Sequence, residues 1–265
     1  MPSRNNPAII LALLVAVVLS GCQPSTSTSS KEPSTAAPYR VGALVAITGG
    51  ASVLGVPERN TLEMLHHQVN EDAGIEGPDG LMHPVELIIY DTQSEETQAV
   101  MAAKKLIDED EVSVILGPTT SGESLAIMDT VQKAKVPLIS MAASIKIVEP
   151  VEERKWAFKV TWKDDLIALR MTEYLRSQSL DKVAWLGVNN AFGDSGLTEF
   201  RKIAPEQGIE IAAIEKYGKG DTSMEAQLTK IQGTDAEALV VYGTLPEVAI
   251  ACKNASDLNV QLETV

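Results

Sequence analysis

The sequence predicts an α/β chain built as two successive parallel sheets, each with helices on both faces. Three observations carry this expectation. Short apolar runs, the mark of strands buried on both faces, recur along the chain. Between them lie longer segments whose apolar residues return at helical spacing. This alternation runs to about residue 140, lapses over 140–154 and then resumes, as two consecutive crossover-connected lobes require.

The chain begins with a leader. Ala8 to Leu19 is an uninterrupted apolar run preceded by Arg4, the pattern of an export signal, and it is shorter than the roughly 20 residues a membrane span needs. Leu19-Ser20-Gly21-Cys22 resembles the bacterial lipoprotein processing box. That resemblance implies cleavage after residue 21 and acylation of Cys22, palmitate included. A tether follows over 22–39, rich in Ser, Thr and Pro and poor in residues that can anchor a core. With Cys22 modified, Cys252 has no intrachain partner and is expected as a small buried apolar residue.

The first lobe is expected over 40–154. Tyr39 to Ile47 is a buried strand, broken by Thr48-Gly49-Gly50-Ala51-Ser52. A helix is expected over about 57–70. Pro57 suits a first turn, Leu62, Leu65 and Val69 share the core face, and Gly74 and Gly77 follow the end. Val85 to Tyr90 is the second strand, a helix covers about 95–108, and Val112 to Leu116 is the third strand. Ser121 and Gly122 open another helix, and Val136 to Ile139 is a short strand that Pro137 can only begin. Ala157 to Val160 reads as a connecting strand.

The second lobe, itself partial, is expected over 155–265. Leu166, Leu169 and Leu175 mark a helix, and Val183 to Val188 is a clear strand. A helix over about 194–207 offers Leu197, Phe200 and Ala204 to a core. Strand Ile211–Ile214, a helix over about 222–232, strand Ala238–Tyr242 and a final helix complete the pattern.

Composition removes several function classes. The formal charge of −14 and the lack of a basic patch exclude a nucleic-acid partner, since such a field repels a phosphate backbone. Two cysteines exclude a disulfide scaffold and a four-cysteine zinc site. No HExxH or compact His/Asp/Cys cluster specifies a metal; His66 and His67 read as solvated surface residues, and His83 lies in a turn-like stretch. No GxGxxG fingerprint follows the first strand, and no cofactor is expected. The acid pairs Asp91/Glu95 and Asp164/Asp165 read as solvated caps, with Asp164 or Asp165 capping the Leu166 helix.

Ligands in open α/β sheets gather beyond the carboxyl ends of the strands, which selects loops 48–55, 91–94, 117–122 and 140–144. Gly117-Pro118-Thr119-Thr120-Ser121-Gly122 has the spacing of a phosphate loop, but Glu123 stands where that motif needs Lys, and a carboxylate there repels a triphosphate. Two readings of the loop remain: a hydroxyl-lined cradle for a small anion, and a glycine turn with a helix cap. Ser121 lacks the GxSxG setting of a nucleophile, so no catalytic residue is assigned.

Ordered stretches across 41–250 resemble the leucine/isoleucine/valine-binding family of branched-chain amino-acid ABC transporters. They are VGALVAITGGASVLG at 41–55, VELIIYDTQSEETQAV at 85–100, VSVILGPTTSGESLA at 112–126, VPLISMAAS at 136–144, NNAFGDSG at 189–196 and YGKGDTSMEAQLTKIQGTDAEALVVYGTLPE at 217–247. The resemblance implies a type I periplasmic-binding-protein fold of two Rossmann-like lobes, incomplete at the C-terminus because the chain ends at Val265. It implies capture of an amino acid or similar small solute, delivery to an ABC permease, and a lipid-anchored place in the bacterial cell envelope facing the periplasm or exterior. By the same resemblance Ser121 receives the ligand carboxylate, the Ala142 carbonyl accepts the ammonium, Ser144 replaces a threonine beside it, and Phe192 is an aromatic wall.

The departures from the family pattern are Leu54 and Thr244-Leu245, which stand where aromatic rings are usual. An exposed sheet edge or unfilled groove is expected where the family chain returns to finish its first lobe. An alternative function is a ligand-sensing or structural membrane-tethered adaptor that has lost transport-type binding.

Overall fold

The computed structural model describes residues 36–265; the leader, Cys22 and most of the tether lie outside the described residues. Strand β1 (Tyr39–Val45) lies between β4 (Val85–Asp91) and β5 (Val114–Leu116), and β6 (Leu138–Ser140) and β7 (Ala157–Lys159) extend the sheet beyond β5. All the pairings are parallel. Helices α1 (Ser52–Glu71), α2 (Glu96–Asp108), α3 (Ser121–Ala126) and α4 (Met128–Ala134) connect these strands. A small antiparallel hairpin, β2 (Ile75–Glu76) with β3 (Met82–His83), closes the connection from α1 to β4.

After 3-10 turns at Ile145–Ile147 and Val151–Glu153 the chain adds β7 to the edge of the first sheet, so Ala157–Lys159 is a sheet strand and the crossing into the second lobe follows it. There β8 (Lys182–Val188) is flanked by β9 (Glu210–Tyr217) and β10 (Ala238–Tyr242), again in parallel. Helices α5 (Asp164–Ser177), α6 (Ala191–Glu206), α7 (Glu225–Gln232) and α8 (Glu247–Asp257) complete the lobe. A last short strand, β11 (Glu263–Thr264), pairs with β10 and was not legible as a strand in the polar Gln261–Val265 tail. The two lobes share one winding: in each sheet the first strand sits inside, and the order reverses beside it.

Alternation along β1 explains the layers. Leu44 faces α2 and a dense cluster with Leu106, Ile115, Ile127, Val131 and Leu138. Ala43 and Val45 face the other way, where Leu62 of α1 is the buried residue that joins them. The second sheet is covered on both sides: Trp185 and Val240 pack with Phe200 of α6, while Leu186 and Leu239 pack with Leu228 of α7 and Ala251 of α8. The first sheet therefore meets the expectation of helices on both faces only in part. At and just after the edge strand β7, Phe158, Val160 and Trp162 stand 54%, 69% and 74% exposed.

Four local readings are corrected. Helix α1 begins at Ser52, five residues before Pro57. Gly55 allows this: a Cβ there would lie 2.2 Å from the Ala46 carbonyl oxygen, so a backbone approach that only glycine permits seats the first turn. Leu65 is 45% exposed, because the buried stripe of α1 runs through Gly55 and Leu62 and Leu65 points to the uncovered flank. His66 is half-buried rather than solvated: its ring nitrogen lies 2.9 Å from the Val85 carbonyl, and Asn70 bonds both backbone groups of Val85. Cys252 is exposed, one position off the Ala251–Ala255 stripe that α8 buries.

The few aromatics of the second lobe are used together. Phe192 stacks on Tyr242 at 4.6 Å, Tyr242 on Trp185 at 4.9 Å, and Trp185 meets Phe200 at 5.1 Å. Gly196 makes room for this stack, since a Cβ there would lie 2.4 Å from the Tyr242 ring. Gly196→Ala is expected to cost about 1–3 kcal/mol in urea unfolding through overpacking. A loss below about 0.5 kcal/mol would contradict the close packing of Tyr242.

Candidate functional site

Parallel strands deliver all their following loops to one edge of a sheet. In the first lobe these are 46–51 after β1, 92–95 after β4, 117–120 after β5 and 141–144 after β6. The reversal of strand order beside β1 opens a crevice between the first and third of these. Each loop is held by side chains. The Asp91 carboxylate accepts from Ile47 N at 2.9 Å, Thr48 N at 3.1 Å, Gln93 N at 2.8 Å and the Thr48 hydroxyl at 2.6 Å. Those bonds hold its carboxyl below the usual range against the opposing effect of burial. Asp91 is therefore a brace between loops, not a solvated cap.

The 117–122 loop is braced from below. The Thr119 hydroxyl accepts from Ala46 N at 2.9 Å and donates to Glu58 at 2.5 Å. Burial pushes the Glu58 carboxyl up, the Thr119 bond pulls it down, and the neighbouring Glu123 carboxylate pushes it up again. Thr120 and Glu123 form a reciprocal capping box at the start of α3. That T-x-x-E pattern was readable in the sequence, and it explains why Glu123 occupies the place where a phosphate loop carries Lys.

The residues singled out from sequence come together. Ser121, Ala142 and Ser144 are all buried at the lobe boundary, and the Ser121 hydroxyl accepts from Ser144 N at 3.3 Å. The Ala142 carbonyl accepts from the Thr161 hydroxyl at 2.7 Å. The Ser144 hydroxyl donates across the boundary to the Ser195 hydroxyl at 2.8 Å. Phe192 is half-buried in the first turn of α6, against Tyr242. Leu54 and Leu245 are exposed, as is Thr244.

Asp164 organises what lies behind this cluster. Its carboxylate is 1% exposed and accepts from Tyr242 OH at 3.0 Å, from Ile145 N at 3.1 Å and from the Ser195 hydroxyl. Neither acid is an N-cap: the helix starts at Asp164 behind Lys163, and Asp165 stays in its first turn, accepting from Leu166 N at 2.8 Å and lying 3.3 Å from the Lys163 ammonium. Burial pushes the Tyr242 phenol well up, with the Asp164 charge adding to it, so the phenol stays a donor. Lys159 binds the Ala143 and Trp162 carbonyls on the crossing segment; desolvation draws its ammonium down while the Asp164 charge raises it. Asp164, Ser195 and Tyr242 escaped sequence reasoning because an acid pair before a helix reads as a cap.

Two further features lie at the boundary. Lys219, on the loop after β9, donates to the Ser94 carbonyl at 3.0 Å. A groove of about 330 Å³ runs between the connection Ile145–Pro150 and the Ser195–Glu199 turn of α6. Among the described residues no group of three or more potential metal ligands occurs, and no helix is long and apolar enough to cross a membrane.

The architecture is an α/β type I periplasmic-binding-protein fold, whose loops face one another across two lobes. The family model described as periplasmic binding protein matches residues 38–265, and the chain belongs to that family, one of non-catalytic transport and receptor proteins. It is 23% identical over 210 residues to the leucine-, isoleucine-, valine-, threonine-, and alanine-binding protein of Pseudomonas aeruginosa, covering 79% of this chain and 54% of that one. An extracellular ligand-binding receptor from Rhodopseudomonas palustris matches with a TM-score of 0.76 and 27% identity, over 86% of this chain and 61% of that one. The branched-chain amino acid transporter substrate-binding protein LivJ of Streptococcus pneumoniae, solved with isoleucine, matches with a TM-score of 0.75 and 26% identity, over 86% and 63%. The chain thus spans a little over half to under two thirds of these relatives' lengths.

Asp164→Ala leaves the Ser195, Tyr242 and Ile145 donors without their shared acceptor at a buried boundary. The expected loss is about 3 kcal/mol or more in urea unfolding. Asp165→Ala, which removes a first-turn acid paired with Lys163 near the surface, is expected to cost about 1 kcal/mol or less. Equal losses for the two variants would contradict the assignment of Asp164 as the buried brace.

Proposed function

We propose that this chain is the solute-binding component of an ABC importer and captures an amino acid or similar small solute between its lobes. The observation that carries this reading is the convergence of Ser121, Ala142 and Ser144 on the face of the first lobe that meets α6. A solute carboxylate can take the Ser121 hydroxyl and the Ser144 N–H, and an ammonium can take a free lone pair of the Ala142 carbonyl. Those groups now satisfy one another and Thr161. Binding on this reading exchanges internal bonds for solute bonds, and Phe192 supplies an apolar wall from the second lobe. The exposed Leu54, Thr244 and Leu245 add no ring to the pocket, so side-chain selection falls to shape rather than to stacking.

The named activities of the leucine-, isoleucine- and valine-binding relatives and of the isoleucine complex support the solute class. Lipid attachment at Cys22 would place the domain on the outer side of a cell-envelope membrane, within reach of a permease. The apolar surface around Phe158, Val160 and Trp162 favours completion of the first lobe by further polypeptide. One observation favours the second reading, a tethered adaptor that has lost capture: the clamp hydroxyls are already partnered within the protein.

Calorimetric titration of the full chain against a panel of free amino acids separates the two readings. Saturable binding is expected for at least one. Ser121→Ala is expected to weaken it about ten- to a hundredfold, the loss of one hydrogen bond to a charged group, while the chain stays folded with a midpoint lowered by the loss of the Ser144 N–H partner. No binding across the panel by a folded sample favours the adaptor.

A further inference from the structure

We propose that Lys219 is a latch that holds the mouth of the cleft closed, an inference that rests on the two-lobe capture reading. The lobes meet through polar contacts in two places. One is the crossing itself, where Ser144 and Ile145 bond Ser195 and Asp164. Among the described residues, the only polar contact between the lobes away from the crossing is made by Lys219. Its ammonium donates to the Ser94 carbonyl at 3.0 Å and lies 3.4 Å from the Glu95 carboxylate.

Both sides of this contact are prepared for it. On the second lobe, Lys219 sits between Gly218 and Gly220, whose N–H groups are tied to Asp221 at 2.7 Å and Glu247 at 2.8 Å. On the first lobe, the Ser94 hydroxyl donates to the Thr48 carbonyl at 2.8 Å and accepts from Ala51 N at 3.0 Å, joining the two rim loops that Lys219 reaches. The lysine stem crosses Gly50, where a Cβ would lie 2.9 Å from Lys219 Cε. A rim glycine thus leaves the path for the side chain open.

Electrostatics gives the latch its purpose. Asp91 and Glu95 face the cleft loops from the first lobe, and Asp194, Asp221 and Glu247 stand on the loops or helix starts of the second. Closure of an acidic chain brings these like charges together, and Lys219 is the cation that spans the gap; Lys216, nearby, is paired with Asp194 within its own lobe. The Lys219 and Glu95 side chains are 47% and 63% exposed, so water and salt screen the pair. A screened contact makes a latch that releases readily.

The test is pulsed dipolar spectroscopy on the full chain without ligand, with spin labels at Lys104→Cys on α2 and Glu225→Cys on α7 and serine at positions 22 and 252. Lys219→Ala is expected to lower the ratio of short to long interlobe distances about two- to fivefold. Lys219→Arg should retain the short distance, and Glu95→Gln should give a smaller shift with a weaker dependence on salt. An unchanged distribution in Lys219→Ala would overturn the proposal, as would a shift that Lys219→Arg reproduces in full. Because no solute enters the measurement, failure of the amino-acid panel and failure of the latch are separate results.

Discussion

A carboxylate with no water around it must find its donors in the protein, and Asp164 finds them on both sides of the lobe boundary. This requirement ties the segment that ends the first lobe to the first helix of the second. It also fixes neighbours that have no other reason to be where they are. Ser195 must turn its hydroxyl inward, Tyr242 must reach across its own core, and Gly196 must stay small to let it. The aromatic stack of the second lobe is in this sense aligned on a single charge. Removing the charge alone leaves its donors stranded, whereas the neighbouring Asp165, paired with Lys163 near the surface, can be lost with little consequence.

The same junction places the candidate clamp. Ser144 stands between Ser121 of the first lobe and Ser195 of the second, so the position of one small hydroxyl registers the approach of both lobes. Braces behind the loops keep the first lobe's share rigid: Asp91 holds the loop after β1, and Thr119 with Glu58 holds the loop after β5. Loops braced in this way suit capture between lobes, because a ligand can shift an open–closed balance only through contacts that differ between the two states.

Much of this was legible in the sequence. Buried parallel strands announce themselves as apolar runs, and those from Tyr39 to Tyr242 appear where expected. The four loops beyond the strand ends followed from the sheet rule, and Ser121 and Ser144 do converge. What escaped depended on tertiary contact. The first turn of α1 exists because Gly55 can sit against the Ala46 backbone, a fact with no local signature. Leu65 obeys the helical period yet faces a flank that no described element covers. Asp164 and Asp165 look alike in sequence, and only packing sends one into the boundary and leaves the other in the first turn beside Lys163. Strand β11 is polar and short, and its pairing with β10 follows from the sheet edge rather than from its own residues.

Native mass spectrometry of the full chain, mixed with an equimolar pool of free amino acids, tests most directly whether the converging loops form one capture site. The account predicts a single retained molecule of amino-acid mass per chain. A folded chain that retains none, or that carries several molecules without a stoichiometric limit, would contradict it.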